Sequence, residues 1–194
     1  SGLSGSCSTA MMLAGEDEYE GKVFVVDNRR ISVTQYQSVK DAQMLAAMGM
    51  DGTQIKKRLE ETAADSVIFI TVDTLKYLKK GGRCSTATAL GASLLKLHPC
   101  LDVVDGKLPV TKKYRGSIEK VVEEYVRDRL RDRTDLDTRR AFLVDTCPDD
   151  HLASIAREVL RQDGRFQEII EAKAGCTIFC HCGPGTLGDE AGKA

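Results

Sequence analysis

The chain has 194 residues, 42% hydrophobic and 29% charged, and its 28 basic against 29 acidic side chains leave a formal net charge of −1. That length holds one large or two small domains with sizeable cores, and the composition excludes disordered and fibrous classes. Balanced charge argues against a nucleic-acid binder that relies on bulk positive potential, no apolar run reaches the roughly 18 residues of a membrane span, and SGLSGSCSTAMM lacks a basic n-region, so a cytoplasmic protein is expected.

Ser1-Gly2-Leu3-Ser4-Gly5-Ser6 places hydroxyls and glycines before the helix-like run CSTAMMLAG. Lys22 to Asp27 (KVFVVD) and Val67 to Thr71 (VIFIT) are short β-branched runs of the kind that form buried parallel strands. Between them, Thr34 to Met48 reads as a helix punctuated by Gly49 and Gly52. Thr53 then opens a second helix, with Ile55, Leu59 and Ala63 at i, i+4 and i+8. This β-α-α-β order is the grammar of an α/β layer.

A division is expected near residues 72–75, giving units 1–73 and 74–194. After it, Leu101 to Val104, Asp105-Gly106 and Lys107 to Tyr114 read as a β-hairpin, because Asp-Gly suits the type I′ turn that matches strand twist. Ile118, Val121, Val122, Tyr125, Val126 and Leu130 mark one face of a helix. Arg140 to Asp145 (RAFLVD) is a strand, and Leu152, Ile155, Ala156, Val159 and Leu160 form a further helical stripe behind Asp149 or Asp150 as N-cap. Strands near 166–173 and 176–182 complete a mixed-sheet α+β pattern. Between Arg127 and Arg140, four Asp interleave with six Arg, so the run reads as a solvated helix end and loop.

Seven cysteines, an odd number at irregular spacing, read as reduced thiols. Cys176, Cys180, His181 and Cys182 raise a zinc hypothesis, but no second ligand pair accompanies them, and small buried apolar cysteines are the preferred reading. No metal and no cofactor are expected. Metal or redox chemistry at this cluster stays a competing reading that elemental analysis decides.

Three places could hold an anion. Ser1 to Ser6 combine hydroxyls, free N–H groups and a helix N-terminus, although ordinary capping by Ser4 or Ser6 accounts for the same residues. Arg83 follows Lys79-Lys80-Gly81-Gly82 on a tight turn, where its guanidinium either forks onto a carboxylate or caps helix-end carbonyls. His181 stands just before Gly183-Pro184-Gly185, and either lines a cavity or is a satisfied core histidine.

Taken together, S-x-L-S-G-S at 1–6, T-L-x-Y-L-K-K-G-G-R at 74–83, L-L-K-L-H-P at 94–99 and H-x-G-P-G-x-L-G at 181–188 resemble the DegV family of bacterial fatty-acid-binding proteins. The resemblance covers nearly the whole chain. It implies two α/β domains with an acyl chain buried between and within them, the N-terminal one incomplete here because the family's opening segment, with its Thr-Ser-Gln-Pro motif, is absent. It further implies a carrier without an active site of its own, which presents a palmitate- or oleate-like fatty acid to a fatty acid kinase subunit that phosphorylates the carboxylate. By the same resemblance, Ser1 holds the carboxylate, Ser4 and Gly5 shape the same turn, and Arg83 and His181 lie near the head group. The family's distant likeness to dihydroxyacetone kinase subunits supplies an alternative, a phosphoryl relay with His181 as nucleophile. Cys7, Cys84, Cys180 and Cys182 depart from the family's usual residues.

Overall fold

Six strands of the computed structural model, which describes residues 4–29, 31–83, 97–103 and 107–192, form one mixed sheet in the order β3-β2-β1-β6-β4-β5. In chain order the elements are α1 (Ser6–Ala14), α2 (Val33–Ala47), α3 (Gly52–Glu61), β1 (Ser66–Thr71), α4 (Lys76–Lys80), β2 (Leu97–Asp102) and β3 (Val110–Arg115). They continue with α5 (Ile118–Leu130), β4 (Arg140–Asp145), α6 (His151–Asp163), β5 (Glu168–Lys173), α7 (Cys176–Cys182) and β6 (Leu187–Gly192). β4-α6-β5 is the one parallel crossover among the described strands; the other pairs are antiparallel. The fold is thus mixed α/β, and β1, which precedes position 73, is hydrogen-bonded on both edges to strands that follow it.

Helices α5 and α6 form where the apolar spacing places them. Ser117 caps α5 by accepting from Lys120 N, and Val121, Val122, Tyr125, Val126 and Leu130 are buried on one face. The stripe of α6 (Leu152, Ala156, Val159 and Leu160) packs beside it over Leu143 and Leu187 of the sheet. Each buried Val or Leu among them contributes about 1.5–3 kcal/mol of transfer free energy. Gly164, in the left-handed region at φ 75°, ends α6. α3 carries a capping box: Asp51 accepts from Gln54 N at 2.9 Å, and Gln54 Oε1 accepts from Asp51 N at 3.0 Å.

Several expectations are corrected. Lys22 to Asp27 forms no strand; Val23 and Phe24 are exposed, and Val25 O and Asp27 N bond to the side chains of Lys56 and Glu60 on α3. Without a neighbouring strand among the described residues, its β-branched composition has no ladder to join. β1 is antiparallel to both neighbours, because β2 and β6 return against it. Residues 176–182 are helical, and the last strand is β6, whose sequence LGDEAG carries little strand propensity. It pairs with β1 on one edge and β4 on the other, so tertiary pairing overrides composition. The Asp105-Gly106 turn, and Cys84 and Ser85, lie outside the described residues.

Candidate functional site

The face of the sheet opposite α5 and α6 is covered by α4, α7 and the segment around Ile31, and here a cavity of about 190 Å³ opens. It exceeds the roughly 150 Å³ of an apolar cavity known to stay dry and take up a small hydrocarbon. Its floor is a row across three strands: Ile70 of β1, Gly188 of β6 and Val144 of β4 are register partners, and all three line it. The missing side chain of Gly188, between two branched neighbours, leaves this floor low. Leu78, Leu108 and Ile178 supply apolar walls.

The polar residues gather from separate parts of the chain. Ser4, Arg83 and His181 line the same cavity, as do Ser32, Thr146, Thr177 and Thr186. Gly5 stands beside Ser4 at the N-cap position of α1, while Ser1 lies outside the described residues. Ser4 Oγ accepts from Ser6 N at 3.2 Å and bonds the Ser6 hydroxyl at 2.8 Å, so the hydroxyl turn sits at the helix start as its spacing predicts.

The motifs around Arg83 and His181 interlock. α4 ends at Gly81; Gly82, at φ 66°, reverses the chain, and Arg83 N then donates to Leu78 O at 3.2 Å. The left-handed residue of this turn is thus Gly82, and Gly81 keeps a right-handed conformation. Arg83 Nη1 donates to Gly81 O at 2.6 Å, which realises the capping reading while the side chain also lines the cavity. His181 projects from α7, and its Nδ1 is buried with no hydrogen-bond partner. Gly183, at φ 80°, ends α7, and a Cβ there would lie 2.2 Å from Tyr77 Cδ2, so α4 and α7 each offer the other a residue without a side chain.

The loop after α7 is pinned by threonines. Thr146 Oγ1 donates to Gly183 O at 2.7 Å and accepts from Thr186 N at 3.0 Å, while Thr186 Oγ1 donates to Cys182 O at 3.2 Å. Because α7 is helical, Cys182 turns inward beside the cavity, where burial pushes its thiol up to about 11, and Cys176 and Cys180 face solvent. No group of three or more His, Cys, Asp or Glu side chains among the described residues is arranged to hold a metal ion. No helix of the described residues is long and apolar enough to cross a membrane.

Of the site residues singled out in the sequence, Ser4, Arg83 and His181 line this cavity, whereas its apolar lining and its threonines are not among them. The alternation within RAFLVD already sends Phe142 and Val144 to one face and Ala141 and Leu143 to the other. Likewise Ile178, His181 and Cys182, at i, i+3 and i+4 between Gly175 and Gly183, carry a helical signal that the β-branched reading of this stretch overlooked.

Residues 1–189 match the family model described as uncharacterised protein, DegV family. A DegV domain-containing protein of Deinococcus radiodurans is 29% identical over 188 residues, covering 96% of this chain and 65% of that protein. The chain spans 60–65% of the length of such curated relatives. A Thermus thermophilus structure described as fatty-acid binding of a DegV family protein aligns with a TM-score of 0.86 at 29% identity, over 99% of this chain and 68% of that one. A DegV lipid-binding protein of Thermotoga maritima aligns with a TM-score of 0.82 at 25% identity, over 100% and 66%.

Proposed function

Because the chain belongs to the DegV family, we propose that it binds one long-chain fatty acid in the cavity above Ile70, Gly188 and Val144 and presents the carboxylate to a fatty acid kinase. The observation that carries this reading is the convergence of Ser4, Arg83 and His181 on an apolar cavity. A buried carboxylate needs donors to offset its desolvation, and a hydroxyl, a guanidinium and an imidazole are three. Ser1 and Gly5 complete the proposed head-group set. Apolar walls contribute most of the affinity, about 0.8 kcal/mol for each methylene buried. The Thermus thermophilus relative, described as binding fatty acid, supports the ligand class. The kinase partnership and the carrier's lack of its own chemistry follow the motif resemblance, and 1–73 and 74–194 are the proposed units.

Extraction of the denatured protein followed by mass spectrometry is expected to release a long-chain fatty acid, and the emptied protein to bind palmitate or oleate. No extracted lipid together with no binding of either would sink the reading.

A further inference from the structure

Gly81 touches both Arg83 and His181 of the proposed head-group site. A Cβ on it would lie 2.2 Å from His181 Nδ1 and 2.9 Å from Cε1, so only a residue without a side chain lets the imidazole rest there. Its carbonyl accepts from Arg83 Nη1 at 2.6 Å. Backbone geometry does not call for glycine at this position: φ is −75° and ψ −7°, in the right-handed region open to any residue. Space is what the position demands.

The contact also bears on the imidazole's chemistry. Nδ1 faces the bare side of Gly81, buried and without a hydrogen-bond partner. A proton there would be an unpaired buried donor, which native structures avoid. A neutral ring avoids it by carrying its proton on Nε2, leaving that atom as its one donor.

On the fatty-acid reading above, we infer that Gly81 is a positioning residue: it seats the His181 ring, fixes the tautomer that donates from Nε2 to the ligand carboxylate, and holds the Arg83 guanidinium alongside through its carbonyl. Two head-group donors attached to different helices thereby share one support.

Nitrogen-15 NMR of the histidine rings of the whole chain at alkaline pH, with His181 assigned by its loss in His181→Ala, is expected to show the Nε2–H tautomer. Gly81→Ala should shift those resonances, weaken palmitate binding by roughly tenfold or more, and lower Tm. In the His181→Ala background the vacated space accepts the methyl group, so Gly81→Ala should leave binding where His181→Ala alone puts it and raise Tm slightly, alanine being the better helix residue. An Nδ1–H tautomer, or a Gly81→Ala penalty equally large in both backgrounds, would overturn the inference. If Gly81→Ala does not fold, the double variant should; failure of both also overturns it. The tautomer and the Tm cycle need no ligand. A chain that shows both yet binds no palmitate therefore defeats the carrier reading alone, and palmitate binding with additive Tm losses defeats this inference alone.

Discussion

The two faces of the sheet are built to different ends. On one, α5 and α6 close a continuous core around Leu143, Tyr125 and Leu187, and polar side chains at its edge bond one another. Tyr125 donates to Asp189 of β6, Arg129 Nη2 donates to Asp102 Oδ1 at 3.0 Å and to Cys100 Sγ at 3.0 Å, and Tyr114 OH donates to Asp128 at 3.0 Å. On the other face two short segments, α4 and α7, bridge a space they do not fill, and Met11, Met12, Tyr36, Val39 and Met48 of α1 and α2 and the turn after it leave apolar surface exposed. The first face carries stability and the second carries the site. Damage to each should therefore register in a different measurement.

The largest effect belongs to the filled face. Leu143 is 1% exposed within the core, and Leu143→Ala should cost about 2–5 kcal/mol, read as a lowered denaturant midpoint with palmitate affinity of the folded protein unchanged. A loss of affinity matching the loss of stability would merge the two faces into one cooperative site and break the comparison.

A second effect comes from Asp189, whose carboxyl is pushed up to about 6 by burial, against the opposing Tyr125 hydroxyl and Arg129 charge. An acid with a raised folded pKa binds its proton more tightly when folded. Its contribution to stability is thus fully present below the ordinary carboxylate range, near pH 4, and is lost as pH rises through about 6. The loss amounts to about 3 kcal/mol at neutral pH. Asp189→Asn keeps an acceptor for Tyr125 and removes the titration, so the stability difference between wild type and variant should change across pH 4 to 7 by that order. Parallel pH profiles would show that the carboxylate is solvated in solution.

On the open face, Gly188→Val adds a branched side chain between Ile70 and Val144, where the cavity floor is lowest. Palmitate affinity should fall by roughly tenfold or more, and shorter acids should be penalised less, since each displaced methylene is worth about 0.8 kcal/mol. Tm should change little, valine being a better strand residue than glycine. Equal losses for every chain length would place the acyl tail elsewhere.

How far the sequence reached also divides by face. The stripes of α5 and α6 and the strand RAFLVD appear as their spacing predicts, because a filled core imposes its period on the residues that face it. The motifs of the open face were legible as wording, T-L-x-Y-L-K-K-G-G-R and H-x-G-P-G, without their geometry. Gly81 is explained only by what it touches in another segment, whereas Gly183 answers both to its φ of 80° and to Tyr77, and nothing in the sequence distinguishes a glycine kept for space from one kept for a turn. β6 was hidden for a related reason: LGDEAG is a strand because β1 and β4 flank it.

The smallest effect tests the boundary of the filled face. Arg127 to Arg140 borders α5, and four of its six arginines find acidic partners close in sequence: Arg127 with Glu123 at 3.1 Å, Arg131 with Asp128 at 3.1 Å, Arg133 with Asp135, and Arg139 with Asp137 at 2.6 Å. Of these the Arg127–Glu123 pair is exposed on both sides, and a pair this local orders little that the helix has not already ordered, while solvent screens it. Arg127→Gln should shift stability by no more than about 0.5 kcal/mol, and added salt should erase the shift. A larger loss that persists in salt would mean that the Arg127 bond to Gln162 of α6, at 3.0 Å, belongs to the support of the filled core, whose edge would then extend past the apolar stripe into the charged run.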